Sequence, residues 1–263
     1  MLEEEYKQWA GVVQIEPSIK LSIIVPIYNS HGIVARQAKY FKKMSLPDDI
    51  EFIFVDDGSN PPLERWDYDL NNLAIVYTND KRPWTQGLAR NLGAKYAKGQ
   101  YLFFTDIDHI LSYGAIMDAY KFSGDKMIFP RFFAVLLEDG TLTQDIDILV
   151  QYGLDPARVS SGRGLYASYH GNTYSIKQST FWELGGYNPE KCLYGHHAPS
   201  RGGEDGYFNQ AWNRWAVTQN ISPAVGSKIY MFPIGRYHKE GNLNPLGLFH
   251  GLSQEQKPQP LKD

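Results

Sequence analysis

Cysteine is almost missing: Cys192 is the only one in 263 residues. A single thiol excludes an internal disulfide framework and fits a reducing compartment. No apolar run reaches the ~18 residues a membrane-spanning helix needs. The opening MLEEEYKQWAGVV is acidic and has no signal-peptide core, so a cytoplasmic location is expected. No long basic block is present and the formal net charge is −3, which argues against strong non-specific nucleic-acid binding. There is no internal repeat, no low-complexity stretch and no linker marking a clean domain boundary. After the first apolar run, PIYNSHG offers one glycine and no lysine, unlike a glycine-rich, basic phosphate loop.

The chain that remains is 43% hydrophobic, 14% aromatic and 21% charged, the composition of a globular protein with a sizeable core. Leu2, Tyr6, Trp9 and Val13 have helical spacing, so residues 1–19 read as a short helix or extension. The segments LSIIVPIYN (21–29), EFIFVDDGS (51–59), LAIVYT (73–78) and YLFFTDID (101–108) read as buried strands. Helical patterns over about 33–44 and 85–98 alternate with them. Near-continuous apolar strands alternating with helices predict an α/β fold, a mostly parallel central sheet covered on both faces. KMIFPRFFAVLL (126–137) reads as one strand bent at Pro130, and 154–172, rich in Gly, Ser, Arg, Tyr and His, as a functional loop. NTYSIKQSTFWELGGY reads as a strand and short helix, and 204–215 as a helix with Phe208, Trp212 and Trp215 on one face. QEQKPQPLKD, within 251–263, reads as a frayed tail.

In such folds chemistry gathers at the carboxyl ends of the strands. Tyr28 and Asn29, Asp56 and Asp57, and Asp106 and Asp108 all fall there. Residues i and i+2 of a strand share a face, so Asp106 and Asp108 would repel unless a divalent cation joined them; oxygen ligands suit Mg²⁺ or Mn²⁺. The plain alternative is a solvated turn. His109 should face away if the strand continues, so it ranks below the remote His238 as a third ligand. Asp56-Asp57-Gly58-Ser59 is either turn chemistry or a set of acceptors for a base or ribose. Gly202-Gly203-Glu204-Asp205 opens a helix. It is either an acidic first turn that complements the dipole or a general base on a rigid element.

The order of these motifs is more specific than any one of them. A strand ending PxYN, a strand ending VDDGS, a helix GLARNLGAKYAKG, a strand ending DxD, then GGY, GGED and a late YH resemble the GT-A-fold, Rossmann-like glycosyltransferases. The likeness spans about 20–245 and is closest in motif order to the inverting branch of β-1,4-galactosyltransferases and bacterial chondroitin-type polymerases. It implies a nucleotide-sugar-binding half, 20–125, and an acceptor-binding and catalytic half, 126–250. It also implies Pro26, Tyr28 and Asp57 at the base pocket, with Tyr28 stacking and Asp56 supporting the turn. Asp106 would reach the ribose or a metal-bound water, and Asp108 and His238 would hold Mn²⁺ or Mg²⁺. Arg82 and Arg90 would contact the nucleotide or diphosphate, Asp205 would be the catalytic base and Glu204 an acceptor-binding acid.

The implied enzyme is a metal-dependent, inverting glycosyltransferase that uses a nucleotide-diphosphate sugar, UDP by resemblance. Departures concern the acceptor. Arg201 precedes the first glycine of GGED, Gly235 stands where galactosyltransferases carry methionine, and Arg163, His196 and His197 add positive or titratable groups. An acceptor glycan, a phosphorylated acceptor and a modified nucleobase all stay open. The alternatives to catalysis by transfer are a non-catalytic nucleotide-sugar-binding module and a sugar nucleotidyltransferase.

Overall fold

The computed structural model describes residues 19–80, 85–192 and 203–233. Within them the first half runs β1 (Leu21–Ile27), α1 (His31–Lys42), β2 (Ile50–Asp56), β3 (Leu73–Tyr77), α2 (Gln86–Tyr96), β4 (Tyr101–Phe104), β5 (His109–Ile110) and α3 (Tyr113–Lys121). The second half runs β6 (Lys126–Ile128), β7 (Arg131–Phe133), β8 (Val135–Leu136), β9 (Leu142–Thr143), α4 (Ile146–Gln151) and α5 (Pro156–Ser160). It continues with β10 (Tyr166–Ser168), β11 (Tyr174–Lys177), α6 (Gln178–Glu183), α7 (Glu204–Gln219), β12 (Ala224–Val225) and β13 (Ile229–Met231). The sequence readings of an N-terminal helix and a C-terminal tail lie outside the described residues.

The central sheet has seven strands in the order β12-β6-β11-β4-β1-β2-β3. β1 is parallel to both β2 and β4, β2 to β3, and β6 to β12; only β11 runs against its neighbours. This is the mostly parallel, Rossmann-like GT-A arrangement. Every residue of β1 is buried, since side chains alternate between two covered faces. Ile23, Val25, Phe52, Phe54 and Phe103 face Val34 and Phe41 of α1 and Ile116 of α3. Ile24, Ile53, Val55, Leu102 and Phe104 face Ala89 and Ala94 of α2, Phe181 of α6 and Phe208 and Trp212 of α7. Each such large apolar side chain contributes about 1.5–3 kcal/mol on burial. α2 lies close because Gly93 has no side chain: a Cβ there would sit 2.5 Å from Ile24 Cγ2.

The parallel register aligns the strand ends. Ile27 pairs with Asp56, and Ile24 with Phe104. Tyr28, Asp57 and Asp106 therefore emerge at one edge of the sheet.

Three expectations are corrected. The fourth strand stops at Phe104 instead of running through Asp108; the Thr105 N–H still donates to Ile24 O at 3.2 Å, and the His109 N–H then donates to Asp106 O at 3.0 Å, closing a turn. The carboxylates of Asp106 and Asp108 sit on that turn, so strand alternation does not set their directions. Residues 126–137 form not one bent strand but three, β6, β7 and β8, each in a different sheet. Pro130 has no N–H to continue a ladder, and β7 crosses into a second sheet, β10-β7-β13-β5. The segment 154–172 is not all loop, since it contains α5 and β10.

Candidate active site

At the β2 end, the two aspartates have different tasks. The Asp56 carboxylate accepts the Ser59 and Leu63 backbone N–H groups at 2.7 and 2.8 Å, which ties the turn to the strand. Gly58 permits that turn with φ +87°. The Thr85 hydroxyl, at the entry to α2, lies 2.7 and 2.8 Å from the two Asp57 oxygens, and the Thr78 hydroxyl lies 3.1 Å from one of them. Tyr28 is half-buried beside Asp57, and its phenol is raised, first by burial and then by that carboxylate. Asn29, at φ 45°, bonds to Ser59 and Asn60 and joins the β1 and β2 loops. Pro26 is buried within β1.

At the β4 end, Asp106 pairs with Arg90, whose side chain is fully buried on α2. The same guanidinium lies 3.9 Å from Glu204 at the start of α7. Burial works against the Asp106 charge, but Arg90 and then His170 overcome it and bring its pKa down to about 2. The Arg90 guanidinium is held above its ordinary range by Asp106 despite burial. Glu204 goes the other way: burial raises its carboxyl and Arg90 only partly opposes this. Gly87, one turn before Arg90, makes the approach of α7 feasible. A Cβ there would lie 2.5 Å from Cys192 Sγ and 3.0 Å from Glu204 Cγ.

Asp205 follows Glu204 in the first turn of α7, entered through Gly203 at φ 76°. Its Oδ1 accepts the Gly206 N–H at 2.7 Å, and a Cβ on Gly171 would lie 3.1 Å from its Oδ2.

His109 does not face away. The chain turns after Phe104, and the buried imidazole comes within 4.0 Å of Asp108 Oδ1 and 5.2 Å, ring to ring, of His170. Its Nδ1 lies 2.5 Å from Thr173 Oγ1, and its Nε2 accepts from Arg131 at 2.8 Å. Burial pushes it down to about 4, so it is neutral at pH 7. His170 Nδ1 is 3.3 Å from the second Asp106 oxygen. One ligand atom each from Asp106, His109 and His170 lies within 4.8 Å of the others, a grouping able to hold a metal ion. The sequence reading missed His170 and Arg131; the only signal for the former was its place in the segment 154–172, read as a functional loop. Arg82 and His238, and with them Gly202, His196, His197, Arg201 and Gly235, lie outside the described residues.

The family model described as glycosyl transferase family 2 matches residues 22–186. The chain belongs to this family. As a member of glycosyl transferase family 2 it is an enzyme of the glycosyltransferase class. It is 30% identical over 115 residues to the poly(ribitol-phosphate) beta-glucosyltransferase of Bacillus spizizenii, covering 41% of this chain and 18% of that one. It is 30% identical over 110 residues to the poly(ribitol-phosphate) beta-N-acetylglucosaminyltransferase TarS of Staphylococcus aureus, covering 40% of this chain and 19% of that one. The matches thus span under a fifth of either relative's length. The crystal structure of S. aureus TarS 1-349 aligns at TM-score 0.47 and 18% identity, covering 81% of this chain and 60% of that one. Among the described residues, no helix is long and apolar enough to cross a membrane.

Proposed function

We propose that this chain transfers a hexose-type sugar from a UDP-sugar to an acceptor hydroxyl, by in-line displacement with inversion. The observation that carries the proposal is the Arg90 link. One buried guanidinium pairs with Asp106, just past the end of β4, and lies 3.9 Å from Glu204, beside Asp205 on α7. The donor half, 20–125, and the acceptor half, 126–250, would meet there.

In this reading Tyr28 stacks on the base, Asp57 accepts from it, and Pro26 and Asp56 hold the pocket's shape. Arg90 acts from beneath, fixing Asp106, and by resemblance Arg82 contacts the nucleotide or diphosphate. The residues present fit a divalent cation: Asp106, His109 and His170 bring a carboxylate oxygen and imidazole nitrogens together, a set that suits Mn²⁺, and by resemblance Asp108 is a further carboxylate ligand. His109 is less available, because Thr173 and Arg131 engage both of its nitrogens. By resemblance His238 is a further ligand. Such a cation, when bound, offsets the charge that grows on the departing diphosphate.

Asp205 takes the proton from the acceptor hydroxyl. Its place in the first turn of α7 presents the carboxylate from a rigid element. Glu204, beside it and within 3.9 Å of Arg90, is the acceptor-binding acid by resemblance. No covalent intermediate is needed. The two relatives' names and the exposed Arg163 support an anionic acceptor such as a polyol phosphate, rather than the neutral sugar of the galactosyltransferase branch.

The test is a panel of nucleotide sugars with Mn²⁺, scored for slow donor hydrolysis and for transfer to ribitol phosphate oligomers. Hydrolysis of a UDP-hexose is expected. If no nucleotide sugar is bound or cleaved, the proposal fails.

A further inference from the structure

Lys126 is a buried cation with no anionic partner among the described residues. It lies on β6 of the central sheet and is only 3% exposed. Its ammonium sits 4.5 Å from the Tyr174 ring centroid, 5.1 Å from that of Trp212 and 5.6 Å from that of Phe208. None of the ion pairs among the described residues includes it. Burial alone pushes it down to about 7. Cation–π contact recovers part of what desolvation costs, but a methionine would fill the same space without that cost. A core that needed only packing would not place an ammonium here.

The side-chain hydrogen bond it makes among the described residues indicates what it does. Nζ donates to Asn209 Oδ1 at 2.9 Å. The carbonyls of Asp205 and Gly171 can only accept, so they take the amide nitrogen and leave Oδ1 facing β6 for the Lys126 donor. The other end, Nδ2, then donates to Asp205 O at 2.8 Å and to Gly171 O at 3.3 Å. Gly171 follows His170, which contacts Asp106, and packs closely on this pair: a Cβ there would lie 2.7 Å from Asn209 Nδ2 and would have to displace it. The Lys126–Asn209 pair therefore joins the first turn of α7 to the strand-to-loop segment carrying His170.

We propose that Lys126 is a positioning residue for sugar transfer, fixing through Asn209 the placement of the Asp205 carboxylate against the His170–Gly171 backbone. The inference rests on the reading of Asp205 as the base. It assigns Lys126 no contact with either substrate.

The test compares K126M, N209A and the double variant in the full chain. K126M should fold with unchanged or higher thermal stability. It should lose about 10- to 100-fold in kcat for transfer, since a misplacement of about 1 Å at a reacting group can cost up to about 100-fold. The donor KM should not move. N209A should show the same kcat loss, and the double variant no further loss. K126M that fails to fold, transfers at the wild-type rate, or loses donor affinity in step with kcat overturns the proposal, as do multiplicative losses in the double variant. D205N is assayed in parallel. If it transfers normally, the base reading falls, and the Lys126 proposal is decided by amide hydrogen exchange. Faster exchange at 170–172 and 204–206 in K126M supports it, and unchanged exchange overturns it.

Discussion

Removing the Arg90 cation should destabilise the fold, and removing the Asp106 charge as well should restore much of what was lost. Arg90 is fully buried and Asp106 is 17% exposed. Breaking a buried pair on one side leaves an uncompensated charge, at a cost of about 3–5 kcal/mol; the small opening at Asp106 puts Arg90→Met near 3. In urea that is a fall of about 1 M in the midpoint for a domain with m near 3 kcal/mol/M. Acid provides a second signature. Asp106 has its folded pKa lowered to about 2, below its unfolded value of about 3.9. Its stabilisation is thus complete above the unfolded value and lost as pH falls toward 2, about 2.5 kcal/mol in all. In Arg90→Met, burial is opposed only by the smaller effects of His170, His109 and Arg131, so that acid-labile increment should shrink. Arg90→Met/Asp106→Asn replaces the stranded charge with an amide and should regain most of the loss. Urea midpoints at neutral pH and at pH 3 for the four proteins form the cycle. A wild-type midpoint for Arg90→Met, or an Asp106→Asn penalty that simply adds to it, would refute this reading of the pair.

Other consequences are as direct. Asp108→Ala should abolish the metal dependence of nucleotide binding by calorimetry; unchanged Mn²⁺ affinity removes Asp108 from the metal site. Lys126 has its folded pKa lowered to about 7, against about 10.4 unfolded. The unfolded chain therefore holds more protons between those values, and stability should rise with pH across that window. Facing Lys126 are Tyr174 from β11 and Asn209, Phe208 and Trp212 from α7. Lys126→Met should flatten the rise in urea titrations, and an unchanged slope assigns it elsewhere. Gly87→Ala forces a methyl against Cys192 and Glu204 and should cost about 1–3 kcal/mol, with a wild-type melting temperature as the contrary result.

The first half of the fold was legible because its strands are apolar on both faces and its helices carry a clear period. β1, β2, β3 and α2 fall within a few residues of the expected spans. Where a strand leaves its sheet was not legible. Residues 101–108 and 126–137 both read as single strands, yet the chain leaves the central sheet after Phe104 and after Ile128. Apolar residues continue past those points because Ile107 packs under the second sheet and Phe129 stacks on Phe103 at 4.6 Å. The same limit misdirected His109, since alternation holds only while the strand lasts. Asp56, Asp57, Asp106, Glu204 and Asp205 stood out by motif. His170, Arg131 and Asn209 did not, because only the packing of β7, β10 and α7 gives them their contacts.

The central claim is that Asp205 takes the acceptor proton in a transfer from a nucleotide sugar. It is tested most directly by Asp205→Asn in a single-turnover assay, with donor binding measured on the same preparation. A loss of about 10²–10⁴-fold in the transfer step with donor affinity intact is the predicted result. Transfer at the wild-type rate, or a loss explained wholly by weaker donor binding, would contradict it.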